Sequence, residues 1–134
     1  MLEDGPGSVR ETLPIIPAQN FPRSYRLTRA DQYNRVFQQA IRSNDKALTV
    51  LARPNGLAHP RLGLAVSKKC AKLAVSRHRI KRLVRESFRK HNLALPALDI
   101  VVTCRPVIVR MTNSQVRVAL EKHWQKLRTQ YNRK

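Results

Sequence analysis

The stretch "RLGLAVSKKCAKLAVSRHRIKRLVRESFRKH", residues 61–91, decides the fold. Residues 61–69 put Leu62, Leu64 and Val66 on one face, the alternation of a half-buried strand. From about residue 72 the period changes to that of a helix. At 100° per residue with Ile80 as origin, Leu83, Val84, Ser87, Phe88 and His91 fall within about 80°. That is a stripe a core would bury. His78, Arg82, Arg85 and Arg89 fall within about 40° of the opposite pole, with Lys81 on its flank. The helix is therefore anchored on one side and cationic on the other.

Working outward, "ALDIVVTCR" (97–105) is a nearly continuous apolar run, as in a strand covered on both faces. Upstream, "KALTVLAR" (46–53) reads as a strand and "PNGLAHP" (54–60) as a turn. "LTRADQYNRVFQQAI" (27–41) reads as a helix opened by a Thr28–Asp31 capping box, with Ala30, Tyr33, Val36, Phe37, Ala40 and Ile41 at helical spacing. A second capping box, Thr112 with Gln115, opens a final helix with Val116, Ala119, Leu120, Trp124 and Leu127 along one stripe. The pattern predicts an α/β (α+β) two-layer sandwich. It has a single mixed β-sheet with three main helices, in the order α-β-β-(β)-α-β-α, the bracketed strand being optional. Gly5, Pro6, Gly7, Pro14, Pro17 and Pro22 punctuate residues 1–22 too often for a long element, so this segment reads as a flexible N-terminal arm. Residues 23–134 read as a single domain, large enough to bury a core.

Charge sets the partner. The 134 residues carry 27 Lys and Arg against eight Asp and Glu, a formal charge of +19. Residues 1–22 hold Glu3, Asp4, Glu11 and Arg10; the remainder holds 26 basic and five acidic groups. A fold this basic repels itself and takes a polyanion as partner. Residues 61–91 alone hold eleven cations and one acid, Glu86. A solvated helix face would mix signs to gain i,i+4 pairs, and this one avoids them. Arg outnumbers Lys five to two over 76–90, which favours bidentate phosphate contacts. A localisation signal would sit in a flexible tail, and a membrane-surface helix would need its apolar stripe for lipid. No helix-turn-helix, zinc-finger or zipper pattern points to duplex DNA.

Other classes are disfavoured. No run approaches the ~18 apolar residues of a membrane span, and the N-terminus lacks the pattern of a signal peptide. A cytoplasmic protein with no membrane partner is expected. Cys70 and Cys104 are distant in sequence, make no metal motif, and read as buried thiols rather than a disulfide. An autonomous nuclease needs a carboxylate cluster or a His-based pair. Asp31, Asp45, Glu86, Asp99 and Glu121 are scattered, and His59, His78, His91 and His123 have no acidic partner nearby in sequence. A non-enzymatic RNA-binding protein, such as a ribosomal protein, shares the charge and size and stands as the alternative.

"GLAVSKKCAKLAVSRHRIKRLVRESFR" (63–89) closely resembles the signature of the bacterial ribonuclease P protein subunit, a "GLxVSKK" strand followed by "RNRxKRxxRExFR". "RLTRADQYNRVF" (26–37) resembles that family's first helix and "DIVVTCRP" (99–106) its last strand. One departure stands out: the family's central Asn is His78 here. The resemblance implies the protein subunit of a ribonucleoprotein that removes the 5′ leader from precursor tRNA. It implies an RNA catalyst with Mg²⁺ held mainly by that RNA, no catalytic side chain or cofactor on the protein, and no small-molecule substrate. It implies catalytic-RNA docking through Lys68, Lys69, Lys72, Arg77, His78, Arg79, Lys81, Arg82, Arg85 and Arg89. It implies a leader-binding cleft between the first helix and the sheet, for which Arg26, Arg29, Tyr33 and Phe37 are the candidates. Tyr33 and Phe37 could stack on bases or pack in the core, and both readings stand at this point. The resemblance also implies a left-handed βαβ crossover, where general chain topology would favour the right-handed one.

Overall fold

The computed structural model describes residues 25–132; the arm read at 1–22 lies outside the described residues. Seven elements follow in order: α1 (Ala30–Gln38), β1 (Ile41–Asn44), β2 (Leu48–Pro54), β3 (Arg61–Ala65), α2 (Ala74–His91), β4 (Leu98–Cys104) and α3 (Asn113–Asn132). Short 3-10 turns cover Asn92–Ala94 and Pro106–Arg110. The strands form one sheet in the order β1-β2-β4-β3. β1 with β2 and β2 with β4 are antiparallel, whereas β3 runs parallel to β4 with α2 as the connection between them. This is the single mixed sheet with three helices that the pattern predicts; β2, β3 and β4 are the strands read from the sequence, and β1 is a further strand at the start, where the sequence reads as helix up to Ile41.

Side-chain alternation divides the core. Leu48, Val50 and Ala52 of β2 and Leu98, Ile100 and Val102 of β4 face α2 and α3, where they meet Ile80, Leu83, Val84, Phe88, Val116, Leu120, Trp124 and Leu127. Leu51 and Val101 point the other way and join Leu27 and Val36 beneath α1. The helical pair and the sheet are thus the two layers of the sandwich, and α1 is a partial cover on the far face. β4, buried on both sides, is the apolar run at the centre. Its one acid, Asp99, is 2% exposed. Arg61, its register partner on β3, donates to both carboxylate oxygens at 2.8 and 2.7 Å, and Asn55 adds a third bond at 3.1 Å. A carboxylate at this depth is tolerated because it is paired with a guanidinium and both of its oxygens accept hydrogen bonds.

Three local expectations change. The first helix begins after Arg29 and ends at Gln38, so Ile41 is not helical but pairs with Ala52 in β1. The N-terminal bonds come from Gln32, whose Oε1 accepts from the backbone N–H groups of Thr28 and Arg29 at 2.8 and 3.0 Å, rather than from a Thr28–Asp31 pair. Cys70 and Cys104 form a disulfide, with Cα atoms 5.9 Å apart, and are not free thiols. The parallel register sets Ala65 beside Thr103, so β3 and β4 exit together. A turn closed by Cys70 N–H and Ala71 N–H on the Ser67 carbonyl, both at 3.1 Å, then curls Cys70 back over Cys104. The Thr112–Gln115 capping box forms reciprocally, at 2.9 and 3.1 Å.

Candidate nucleic-acid interface

The stripe on α2 is buried as its spacing predicts: Ile80, Leu83, Val84, Ser87 and Phe88 all face inward. Trp124 of α3 meets it edge-on against Phe88 and donates its indole N–H to Ser87 Oγ at 2.8 Å. This contact explains why a serine can sit in an apolar stripe. With that side fixed, His78, Arg82 and Arg85 are exposed, and Lys81 and Arg89 half-buried, on the other side. Lys68, Lys69 and Lys72 are exposed on the link that enters the helix. Among the described residues, no carboxylate pairs with any of these lysines and arginines. The first turn of α2 carries no acid either, so the positive end of its dipole adds to the field of the lysines.

Two of the candidate residues have internal bonds. Arg77 donates to the carbonyls of Ala71 and Lys72, both at 2.9 Å, and so clamps the link onto the helix. Arg79 donates to Asn113 Oδ1 at 2.8 Å and to the Met111 carbonyl, which ties α2 to the start of α3. Sequence spacing counts their charge and cannot show these partners.

The first-helix candidates gather at the edge made by β3. Arg26 bridges to Leu62, and the Leu27 N–H donates to the Leu62 carbonyl at 2.9 Å, extending the sheet beyond β3. Tyr33 is half-buried; its ring lies on Gly63, and its hydroxyl accepts from the Leu64 N–H at 3.2 Å. Phe37, one turn on, is 48% exposed. So Tyr33 is anchored in the packing under α1, and Phe37 is the freer aromatic. Arg29 pairs with Asp31 at 3.2 Å on the surface. Arg85 links the two groups of candidates. Its guanidinium is held below the ordinary arginine value, first by partial burial and then by the like charge of Arg26, with Tyr33 acting in the opposite sense. The cationic face of α2 and the Arg26–Tyr33 edge therefore adjoin.

Distant in sequence, Ser43, Asp45 and His123 form a chain of bonds that local spacing could not reveal. Ser43 Oγ lies 2.6 Å from His123 Nδ1, and His123 Nε2 lies 2.8 Å from Asp45 Oδ2. An ionised Asp45 only accepts, so Nε2 carries the proton and the Ser43 hydroxyl donates to Nδ1. Burial lowers the His123 pKa against the pull of Asp45. For Asp45, burial alone would raise the pKa, but the Leu48 and Ala47 N–H groups and His123 outweigh it and lower it. Ser43 and His123 are 6% and 1% exposed, so the chain ties β1 to α3 rather than facing substrate. Among the described residues, no three His, Cys, Asp or Glu side chains are grouped so as to hold a metal ion. Asp99 and Asp45 are committed to Arg61 and His123.

The fold, with cations on α2 that have no carboxylate partner among the described residues, defines a class: a small α+β protein built around one basic helix, suited to a polyanionic partner. The family model described as Ribonuclease P matches residues 21–128. The chain is 51% identical over 111 residues to the ribonuclease P protein component of Thioalkalivibrio sulfidiphilus, covering 83% of this chain and 92% of that one. It is 52% identical over 111 residues to that of Methylococcus capsulatus, covering 81% and 87%. The solved Staphylococcus aureus RNase P protein superposes with a TM-score of 0.71 at 34% identity, covering 76% of this chain and 93% of that one. The Thermotoga maritima RNase P protein gives 0.68 at 30% identity, covering 75% and 96%. The chain belongs to the ribonuclease P protein component family, the protein subunit of the tRNA-processing ribonucleoprotein. A ribosomal-protein reading is not favoured.

Proposed function

We propose that this chain docks onto the catalytic RNA of ribonuclease P through the outer face of α2 and holds the 5′ leader of precursor tRNA at the β3 edge. The observation that carries this reading is the run of Lys81, Arg82, Arg85 and Arg89 with no carboxylate partner among the described residues, opposite a stripe in which Ile80, Leu83, Val84, Ser87 and Phe88 are buried. Lys68, Lys69 and Lys72 extend the phosphate-binding surface, and His78 sits within it where the family places Asn. Arg77 and Arg79 contribute field and shape the link and the helix junction. Arg26, Arg29, Tyr33 and Phe37 contact the leader: the arginines its phosphates, the exposed ring of Phe37 its bases. Bond cleavage belongs to the RNA with its Mg²⁺, and the protein contributes no catalytic side chain. Neutralising phosphate lets RNA segments approach one another, and leader contacts favour precursor over mature tRNA. No helix among the described residues is long and apolar enough to cross a membrane; we place the assembly in the cytoplasm.

Reconstitution tests this. The full chain, mixed with a bacterial ribonuclease P RNA at low Mg²⁺, should stimulate removal of the leader. Seven cation–phosphate contacts give a log–log salt slope of about −5 to −6. Absence of stimulation, with tight RNA binding retained, would return the chain to the class of non-enzymatic RNA-binding proteins.

A further inference from the structure

Cys70 is buried in the main core and Cys104 packs against it, and neither is among the RNA-contacting residues above. Cys70 falls between Lys69 and Lys72 on the link from β3 to α2; Cys104 ends the central strand β4. The bond therefore fastens the lysine-bearing link to the most buried strand of the sheet. We infer that Cys70 and Cys104 are a reversible thiol–disulfide site whose substrates are low-molecular-weight thiols and disulfides, and that its state sets how rigidly Lys68, Lys69 and Lys72 are presented to RNA. The inference rests on the RNA-docking reading of those lysines.

Access and accommodation both support exchange. Cys70 is 4% exposed, whereas Cys104 is only half-buried, so an external thiolate reaches Cys104 Sγ first. It forms a mixed disulfide there and releases Cys70 as a thiolate. A second thiol displaces Cys104 and departs in a small disulfide. Two electrons have passed from the two small thiols to the protein pair, and two protons reside on Cys70 and Cys104. Glutathione disulfide runs the sequence in reverse. The reduced pair has a place in the fold: Cys70 Sγ lies 3.7 Å from the Arg105 carbonyl, which a thiol can use as acceptor.

The physical effect is on ordering. Lys68, Lys69 and Lys72 repel one another on an exposed link held by the Ser67 turn, by buried Ala71, by Arg77 and by the disulfide. Removing the covalent tie leaves the link folded but more mobile, so RNA must order it on binding. That lowers affinity by roughly three- to tenfold, the size of one or two side-chain ordering costs.

The test compares one protein in two states. The full chain is treated with dithiothreitol or with glutathione disulfide, its free thiols are titrated, and its affinity for an in vitro transcribed bacterial ribonuclease P RNA is measured. Two thiols and weaker binding are expected after dithiothreitol; no thiols and tighter binding after glutathione disulfide; the far-UV spectrum stays the same. Cys104→Ser should bind as the reduced protein does in either buffer. Two thiols persisting after glutathione disulfide would overturn the inference. So would equal affinity in both states, or a loss of affinity accompanied by unfolding. Equal, tight binding rejects only the switch, whereas failure of both forms to bind rejects the docking reading with it.

Discussion

Replacing Gly63 with alanine should disturb the fold and the leader edge together, through one ring. A Cβ at position 63 would lie 2.7 Å from Tyr33 Cε1, 2.8 Å from Cζ and 3.0 Å from Leu27 Cδ1. The Leu27 methyl can rotate aside, but the tyrosine ring is held against β3 by the bond from Leu64 N–H to its hydroxyl. Relieving the contact moves the ring outward by ~1 Å, at the ~1–3 kcal/mol typical of overpacking. The displaced hydroxyl forfeits a further ~1 kcal/mol of hydrogen bonding. A total near 2–4 kcal/mol lowers the melting temperature by roughly 10–20 °C for a domain of this size. The assay is a double-mutant cycle in urea unfolding, with Gly63→Ala made in the parent and in Tyr33→Ala. Without the ring the alanine meets little, so most of its cost should vanish. If the alanine costs the same in both backgrounds, the packing of Tyr33 on Gly63 is not what holds this edge. Gly63→Ala should also weaken binding of precursor tRNA with a leader more than of mature tRNA.

Further predictions concern the basic helix, the buried acid and the buried histidine. Arg82→Ala with Arg85→Ala should leave the far-UV spectrum unchanged and make the salt slope of catalytic-RNA binding shallower by about 2; an unchanged slope would remove both residues from the interface. Arg61→Ala leaves Asp99 buried with only Asn55 beside it and should cost ~3–5 kcal/mol in chemical denaturation, and a loss below ~1 kcal/mol, no more than an exposed pair is worth, would refute that reading of the pair. The pH dependence has a definite sign. Folding favours neutral His123, so its contribution is complete above the ordinary value of 6.5 and is lost as pH falls through the lower folded value. Asp45 follows at lower pH: its contribution is complete above 3.8 and is lost as pH falls through its depressed folded value. The urea midpoint should therefore fall as the pH is taken below 6.5 in the parent and less in His123→Gln; a midpoint that rises on acidification contradicts the buried neutral imidazole.

Periodicity revealed what periodicity can carry. The α2 stripe was legible because Ile80, Leu83, Val84, Ser87 and Phe88 obey one spacing over two turns and more. The same signal overran α1, because Ala40 and Ile41 keep helical spacing beyond the true end at Gln38. β1 is four residues, "IRSN", too short and polar to announce itself. Contacts made by the tertiary fold between distant segments were invisible: Cys70 and Cys104 are 34 residues apart, and Asp45 and His123 are 78 apart. In the candidate site, charge and spacing found the cations of α2. The commitments of Arg77 and Arg79 to carbonyls, and the approach of Arg85 to Arg26, follow from how the helix lies against the link, α3 and the β3 edge.

The order of strands has a consequence for synthesis. β4 is the last strand to leave the ribosome, yet it sits between β2 and β3 and pairs with both. Until residues 98–104 emerge, the nascent chain has the β1–β2 hairpin and a separate β3 with no strand to join them. Val50, Ala52 and Leu62 then face no completed core. The strand that closes the sheet also carries Cys104, so the sheet and its covalent tie become available in the same step of translation. Chains truncated before Leu98 should be aggregation-prone fragments rather than smaller folded domains.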